Sequence, residues 1–264
     1  MAVLTACHFP CAGTVPDHFE PEQGHRTARG SRGHAFVLTI PAGHDIVRWM
    51  THLALFALDD TLVDFTGGVF RWTDELIRER NLGPEADAWF RAEQERPVSP
   101  TESFAAIVEQ FGLPETGQEL QAAYTTRSRQ LMGLFDGVID GLVSLKAAGW
   151  RTGIVTDGHE PVQRSKFADG LETYVDTFCF AEDDGCHKPS PEIFNLAAER
   201  AGVSLDGGWM VGDSLSHDIA GAANVGLRSI WVSHGKPLPK DGVQPDFVVQ
   251  STAEAFPIML HPGA

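Results

Sequence analysis

From residue 50 onward, short apolar runs alternate with longer amphipathic segments. The apolar runs are rich in Val, Ile and Phe, which is typical of strands that are buried on both faces. They predict six strands: His52–Leu58, Arg151–Thr156, Thr177–Phe180, Trp209–Gly212, Arg228–Val232 and Phe247–Val249. The amphipathic segments predict helices between them: Val138–Ala148, Glu160–Ala168, Pro191–Ala201 and Asp218–Val225. This alternation predicts an α/β fold, a doubly wound parallel sheet with helices on both faces.

One long segment, residues 66–134, has helical periodicity and little strand signal. It predicts four helices: Phe70–Glu79, Pro84–Gln94, Thr101–Phe111 and Glu119–Leu131. We therefore expect a helical cap at 66–134, inserted into an α/β core made of residues 50–65 and 135–264. The pair Gly67-Gly68 predicts a flexible hinge between core and cap, because glycine adopts backbone conformations that other residues avoid.

Residues 1–49 differ in composition from the rest of the chain. They carry four basic and four acidic residues and show no sustained periodicity, so we predict a poorly ordered extension. Cys7, His8, Cys11 and His18 lie within it, but their spacing fits no common zinc pattern. The strand-like run that follows Met50 raises the hypothesis that 1–49 results from a misassigned start site.

Composition excludes several classes of function. The chain has 20 Lys and Arg against 36 Asp and Glu, a formal net charge of −16. Such a chain has no general electrostatic attraction for nucleic acids or anionic membranes. The longest clean apolar run, Leu53–Leu58, is too short to span a bilayer. Four cysteines in 264 residues do not indicate a disulfide framework, so we expect a reducing, cytoplasmic setting.

Polar residues follow several of the predicted strands at the point where each ends. They are Asp59, Asp60 and Thr61 after the first strand, Thr156, Asp157 and Gly158 at the second, Lys188 before a helix, and Asp213 and Asp218 after the fourth. Ligands of open α/β sheets bind beyond the carboxyl ends of the strands, where these residues would meet. Carboxylates hold Mg²⁺, a lysine offsets phosphoryl charge, and a carboxylic acid can carry a proton. The pattern therefore favours phosphoryl transfer.

Three segments carry a resemblance to a known family: Gly153-Ile-Val-Thr-Asp-Gly, Lys188-Pro-Ser-Pro-Glu-Ile-Phe and Met210-Val-Gly-Asp-Ser-Leu. Together with Asp59-Asp-Thr-Leu and the cap-sized insertion, they resemble the haloacid dehalogenase (HAD) superfamily over residues 51 to about 255. Among its members with a helical cap, the chain looks most similar to nucleotidases and sugar-phosphate phosphatases such as the N-acylneuraminate-9-phosphatases.

The resemblance implies a role for each matching residue. The family's first motif is Asp-x-Asp-x-Thr, in which the first Asp is the nucleophile and also ligates Mg²⁺. Aligning its threonine with Thr61 places Ala57 at the nucleophile position and Asp59 at that of the general acid/base. Thr156, with Asp157 and Gly158, then matches the phosphate-binding segment, and Lys188 matches the lysine that steadies nucleophile and phosphate. Asp59, Asp213 and Asp218 are the implied metal ligands.

Ala57 conflicts with the expected chemistry, because a methyl group cannot attack phosphorus. Three explanations are open. Ala57 is an engineered substitution that traps substrate, or it marks a natural member that binds a phosphorylated ligand without turnover. Alternatively, Asp59 and a metal activate water directly and bypass the covalent step.

The expected function is Mg²⁺-dependent hydrolysis of a small phosphate monoester, a nucleotide or a sugar phosphate, by a monomer or homodimer. The alternative is a catalytically silent binding or regulatory protein that uses the same pocket. Dehalogenase chemistry also requires Asp at position 57 and uses no metal, and phosphonate-cleaving relatives carry Ala where this chain has Asp59. The resemblance therefore favours a phosphatase.

Overall fold

A computed structural model describes residues 52–94, 99–167 and 170–261 of the chain. Six strands form one sheet in the order β3-β2-β1-β4-β5-β6, and every neighbouring pair is parallel. The strands are β1 Leu53–Phe56, β2 Arg151–Thr156, β3 Thr177–Phe180, β4 Trp209–Gly212, β5 Arg228–Val232 and β6 Phe247–Val249. This is the predicted α/β fold, and β2 to β6 have the predicted bounds.

The central strand β1 contributes side chains to both hydrophobic cores. Ala54 and Phe56 pack into the core on one face of the sheet, and Leu53 and Leu55 pack into the core on the other. All four residues are fully buried, as the alternation of side chains along a strand requires when helices cover both faces. The end of β1 is therefore held in place by packing from two sides.

Five helices lie between β1 and β2, and the first four lie at the position predicted for the cap: α1 Phe65–Glu79, α2 Ala86–Gln94, α3 Pro100–Phe111 and α4 Gly117–Leu131. Ser99 and Thr116 begin α3 and α4 as capping boxes, each with a glutamate three residues later. The rings of Phe104 and Tyr124 contact Trp72 with centroids 6.0 and 5.0 Å away. These three aromatic residues form the packed centre of the helices.

The predicted hinge at Gly67-Gly68 is wrong, because both residues lie inside α1. Asp64 begins this helix by accepting the Gly67 N–H at 3.0 Å. Gly68 is buried against Met132, where a β-carbon would lie 2.5 Å from the Met132 side chain. The connection is instead a paired segment, in which Val63 and Leu134 form an antiparallel bridge.

The other helices are α5 Val138–Ala147, α6 Glu160–Arg164, α7 Ala181–Asp184, α8 Pro191–Ala201, α9 Ala220–Val225 and α10 Ala255–Leu260. Three of the four helices predicted in the core differ from these bounds, and α5 ends one residue before its predicted end at Ala148. The helix predicted from Glu160 ends at Arg164, and a π-helical turn, Leu215–Ile219, precedes α9. Helices α7 and α10 were not predicted. In the part of the chain that the structure describes, no helix is long and apolar enough to cross a membrane. The predicted extension, residues 1–49, lies outside the described residues.

Candidate active site at the carboxyl edge of the sheet

Ala57 directly follows the central strand and is 3% exposed. Its N–H donates to the Val211 carbonyl oxygen at 2.9 Å, which continues the pairing of β1 with β4. Position 57 therefore lies at the carboxyl edge of the sheet, where β1 is flanked by β2 and β4. A methyl group therefore lies at the position for which the sequence resemblance predicts a nucleophilic carboxylate.

Asp59 forms an ion pair that sequence reasoning missed. The Lys166 ammonium donates to Asp59 Oδ2 at 2.6 Å, and the two side chains are only 11% and 21% exposed. Lys166 also lies 4.6 Å from the centre of the Phe65 ring, at the start of α1. The second carboxylate oxygen, Asp59 Oδ1, is buried and has no partner among the described residues. This oxygen can therefore accept a further hydrogen bond.

Thr156 ends β2 with its side chain almost fully buried. Gln163, on α6, donates from its amide nitrogen to Thr156 Oγ1 at 2.8 Å and also to the Asp157 carbonyl oxygen. Gly158 completes the turn with a φ of +126°, and a β-carbon there would lie 2.9 Å from the Gln163 amide nitrogen. Glycine is therefore required at 158 both for its backbone conformation and for the approach of Gln163.

Lys188 lies between two carboxylates. Its ammonium is 2.7 Å from Asp218 Oδ1 and 3.5 Å from Asp157 Oδ2, and the lysine and Asp218 side chains are 6% and 1% exposed. Burial by itself lowers the pKa of Lys188, but the charges of Asp218 and Asp157 more than compensate and raise it above its usual value. Lys188 is therefore a permanent cation at the edge of the sheet, and the Asp157 side chain faces this cation.

Asp213 follows β4 and is held through its backbone by the Trp231 indole, which donates to the Asp213 carbonyl oxygen at 2.8 Å. Burial raises the pKa of the Asp213 carboxyl to about 7, with further contributions from the negative charges of Asp218 and Asp60. A cation bound beside this carboxyl would favour its ionised form. Asp218, in contrast, is already engaged by Lys188 and by the Ser214 N–H at 3.0 Å.

The loop that carries Asp60 has two supports that the sequence did not indicate. The Asp60 carboxylate accepts from the Thr66 N–H at 2.8 Å and from its hydroxyl at 2.6 Å. His234, which follows β5, places Nε2 2.6 Å from the Asp60 carbonyl oxygen, so Nε2 carries the hydrogen of this bond. These bonds connect the loop after β1 to the start of α1 and to the loop after β5.

Mg²⁺ is the cofactor that the family resemblance implies, and the residues present satisfy only part of its requirements. In the segments that the structure describes, no three His, Cys, Asp or Glu side chains are grouped to hold a metal ion. Asp213 offers a carboxyl, Asp218 is paired with Lys188, and Ala57 offers no oxygen. Mg²⁺ prefers several oxygen ligands in near-octahedral geometry. As it stands, this set of donors does not complete a magnesium site.

The comparisons with known proteins identify the family of this chain. Residues 51–226 match the model of the haloacid dehalogenase-like hydrolase family. The chain belongs to the haloacid dehalogenase-like hydrolases. The match covers β1, the four helices after it and the segments with Thr156, Lys188 and Asp213, so the residues predicted for the site lie in the family region.

Named relatives of this hydrolase are phosphatases. It is 38% identical over 96 residues to the glyceraldehyde 3-phosphate phosphatase of Pyrococcus furiosus, which is 36% of this chain and 40% of that enzyme. It is 30% identical over 152 residues to the phosphoserine phosphatase of Thermus thermophilus, 57% of this chain and 61% of that enzyme. The chain thus spans less than two thirds of the length of these relatives.

A solved structure extends the similarity to most of the fold. The HAD-hydrolase YfnB of Bacillus subtilis, determined with bound magnesium, has a TM-score of 0.65 and 26% identity. The similarity covers 79% of this chain and 98% of that one. The similarity therefore extends over a larger part of this chain than the matches to the two phosphatases do.

Two histidines near the site have local partners. His159 Nδ1 lies 3.5 Å from Asp183 Oδ1, and His217 Nδ1 lies 2.9 Å from the Ser214 hydroxyl.

Of the residues predicted for the site, Lys188, Asp157 and Asp218 are in direct contact. Asp59 contacts Lys166 instead, and Thr156 contacts Gln163. Sequence reasoning missed Gln163 and Lys166. Their Gln-x-x-Lys spacing after Gly158 is the sequence feature that could have indicated them.

Proposed function

We propose that the carboxyl edge of the sheet is the phosphoryl-binding site of a phosphatase-type hydrolase for a small phosphate monoester, a nucleotide or a sugar phosphate. The observation that carries the proposal is the buried Lys188 ammonium, which Asp218 and Asp157 hold at the edge where ligands of such sheets bind. A buried cation beside a threonine hydroxyl suits an anionic phosphoryl group. The phosphatase names of the relatives support the same substrate class.

Each residue of the site has a proposed task. Lys188 offsets the charge of the phosphoryl group, and the Thr156 hydroxyl donates to one of its oxygens. In a chain with a carboxylate at position 57, Asp59 would be protonated on its free Oδ1 and would give that proton to the alkoxide as the phosphorus–oxygen bond of the ester breaks, while Lys166 holds Oδ2. The cap helices cover the leaving group and select it.

Ala57 removes one step of the family reaction. In that reaction a carboxylate oxygen at position 57 attacks phosphorus, the phosphorus–oxygen bond of the ester breaks, and water later hydrolyses the aspartyl phosphate. A methyl group has no lone pair, so this chain binds the ester without forming the covalent intermediate. Loss of a covalent nucleophile typically costs several orders of magnitude in rate.

Mg²⁺ belongs to the proposal as the family cofactor, which supplies positive charge to the reacting phosphoryl group when it is bound. We propose that Asp59, Asp213 and Asp218 are its ligands and that a carboxylate at position 57 is needed to complete the site. Ala57 then weakens metal binding together with catalysis. A cytoplasmic location and a monomer or homodimer remain predictions.

The same residue favours a second candidate function, a binding or regulatory protein that holds a phosphate ester and does not turn it over. Phosphate release from a panel of sugar phosphates, nucleoside monophosphates and phosphoserine separates the two, with and without Mg²⁺. The parent chain is compared with Ala57→Asp and with Ala57→Asn, which has nearly the same shape but a neutral side chain.

We expect turnover that depends on Mg²⁺ only in the aspartate variant. Comparable turnover by the parent would mean that Asp59 and a metal-bound water replace the covalent step. Absence of turnover in all three chains, with phosphate binding retained, would favour the binding protein.

A further inference from the structure

Gln163 is fixed in orientation by a group that can only accept hydrogen bonds. Its amide nitrogen donates to the Asp157 carbonyl oxygen, which has no hydrogen to offer. Rotating the amide by 180° would set two oxygens against each other, so the nitrogen must face Asp157 and Thr156. The other amide atom, Gln163 Oε1, is buried without a partner among the described residues. The orientation is thus maintained despite the cost of an unsatisfied oxygen.

This orientation determines the role of the Thr156 hydroxyl. Gln163 donates to Thr156 Oγ1 at 2.8 Å, so Thr156 accepts in this bond and its own hydrogen is directed elsewhere. Among the described residues, Gln163 is the partner that the structure gives to this hydroxyl. Thr156 is 3% exposed and ends β2, next to the position proposed for the phosphoryl group.

We propose that Gln163 is a positioning residue that turns the Thr156 hydroxyl into an obligatory donor for a phosphoryl oxygen. The inference rests on the proposed function of this site and extends it by one residue. Gln163 is 3% exposed, so it contacts Thr156 and Asp157 from the buried side of the turn after β2. Gly158 permits this arrangement, because a side chain there would displace the Gln163 amide.

A double-mutant cycle with inorganic phosphate as the probe tests the inference. The affinity of the parent chain for phosphate is measured by ³¹P NMR titration, and so are those of Gln163→Met, Thr156→Val and the double variant. Methionine keeps the length of the side chain and removes the donor. We expect Gln163→Met to weaken phosphate binding about 3- to 10-fold, the value of one hydrogen bond. In the Thr156→Val background it should add nothing, since the hydroxyl that it positions is absent.

Two further variants separate a positioning role from a structural one. Gln163→Glu places an acceptor opposite the Thr156 hydroxyl and draws its hydrogen away, so binding should weaken more than in Gln163→Met. Gln110→Met, at an exposed position on α3, is the matched control and should bind phosphate as the parent does. Thermal unfolding of every variant confirms that it is folded under the conditions of the titration.

The outcomes distinguish this inference from the proposed function. If Gln163→Met weakens binding equally in the parent and in the Thr156→Val background, Gln163 is only structural and the inference is overturned. An unchanged affinity of Gln163→Met for phosphate overturns the inference as well. If Thr156→Val binds phosphate more weakly in that case, the proposed function still holds. If the parent binds no phosphate, and Thr156→Val behaves identically, the proposed function itself fails.

Discussion

The Lys188 ammonium lies 2.7 Å from Asp218 Oδ1, and neither side chain is more than 6% exposed. Breaking a buried pair by removing one partner leaves a charge without solvent or counter-ion. We expect Lys188→Met to lower the free energy of unfolding by about 3–5 kcal/mol, measured by urea denaturation. Adding Asp218→Asn should recover part of the loss, because the remaining partner is then neutral. If the loss in the double variant equals the sum of the losses in Lys188→Met and in Asp218→Asn alone, the pair contributes no coupling energy.

Gly212 lies against the carboxylate of Asp218. A β-carbon at position 212 would be 2.2 Å from Asp218 Oδ2, so Gly212→Ala must displace the acid that holds Lys188. We expect a loss of about 1–3 kcal/mol in stability from the overpacking alone. Gly133→Ala is the control, since its β-carbon would meet nothing within 4 Å, and thermal unfolding compares the two variants. Equal melting temperatures would mean that the Asp218 side chain can move aside without cost.

A carboxylate at position 57 should couple stability to Mg²⁺. Without metal, Ala57→Asp adds a negative charge at the edge where Asp213 already has a raised pKa, so we expect a lower melting temperature than in the parent. With Mg²⁺ at about 100 times its dissociation constant, metal binding should raise the free energy of unfolding by about 2.7 kcal/mol. Ala57→Asn should show neither effect. If the melting temperature of Ala57→Asp does not change when Mg²⁺ is added, position 57 is not part of the metal site.

The raised pKa of Asp213 predicts a pH-dependent stability in the absence of metal. The folded state holds the proton more tightly than the unfolded chain, so this contribution to stability is present below the usual value of 3.8 and is lost as the pH rises towards about 7. Asp213→Asn removes the titrating group. We expect the variant to gain stability relative to the parent between these two pH values, by at most about 4 kcal/mol.

Urea denaturation in EDTA from about pH 4.5 to 8.5, a range that spans the raised pKa, measures this difference. Asp241→Asn, at an exposed position, is the control and should follow the parent at every pH. A constant difference between Asp213→Asn and the parent across the range would contradict a raised pKa in the folded state.

The predicted and observed bounds of the strands agree where they depend only on the residues of the strand itself. Strands β2 to β6 have the predicted bounds because each contains a short apolar run of the kind that indicates a buried strand. Strand β1 is shorter than predicted and ends at Phe56, since the chain turns at Asp59 to begin the loop. The start of α1 was missed because Gly67 and Gly68 weaken the helical pattern, whereas the cap at Asp64 and the contact of Gly68 with Met132 stabilise the helix.

The sequence by itself determined the α/β class, the order of polar residues at the edge of the sheet and the presence of alanine at position 57, where the family resemblance predicts a carboxylate. These features depend on residue type and spacing along the chain, which the sequence states directly. Only the tertiary structure decided that Lys166 pairs with Asp59 from 107 positions away, that Gln163 donates a hydrogen bond to Thr156 and that the pKa of Asp213 rises. Such contacts and pKa shifts arise from distances and burial between distant segments, which no local pattern encodes.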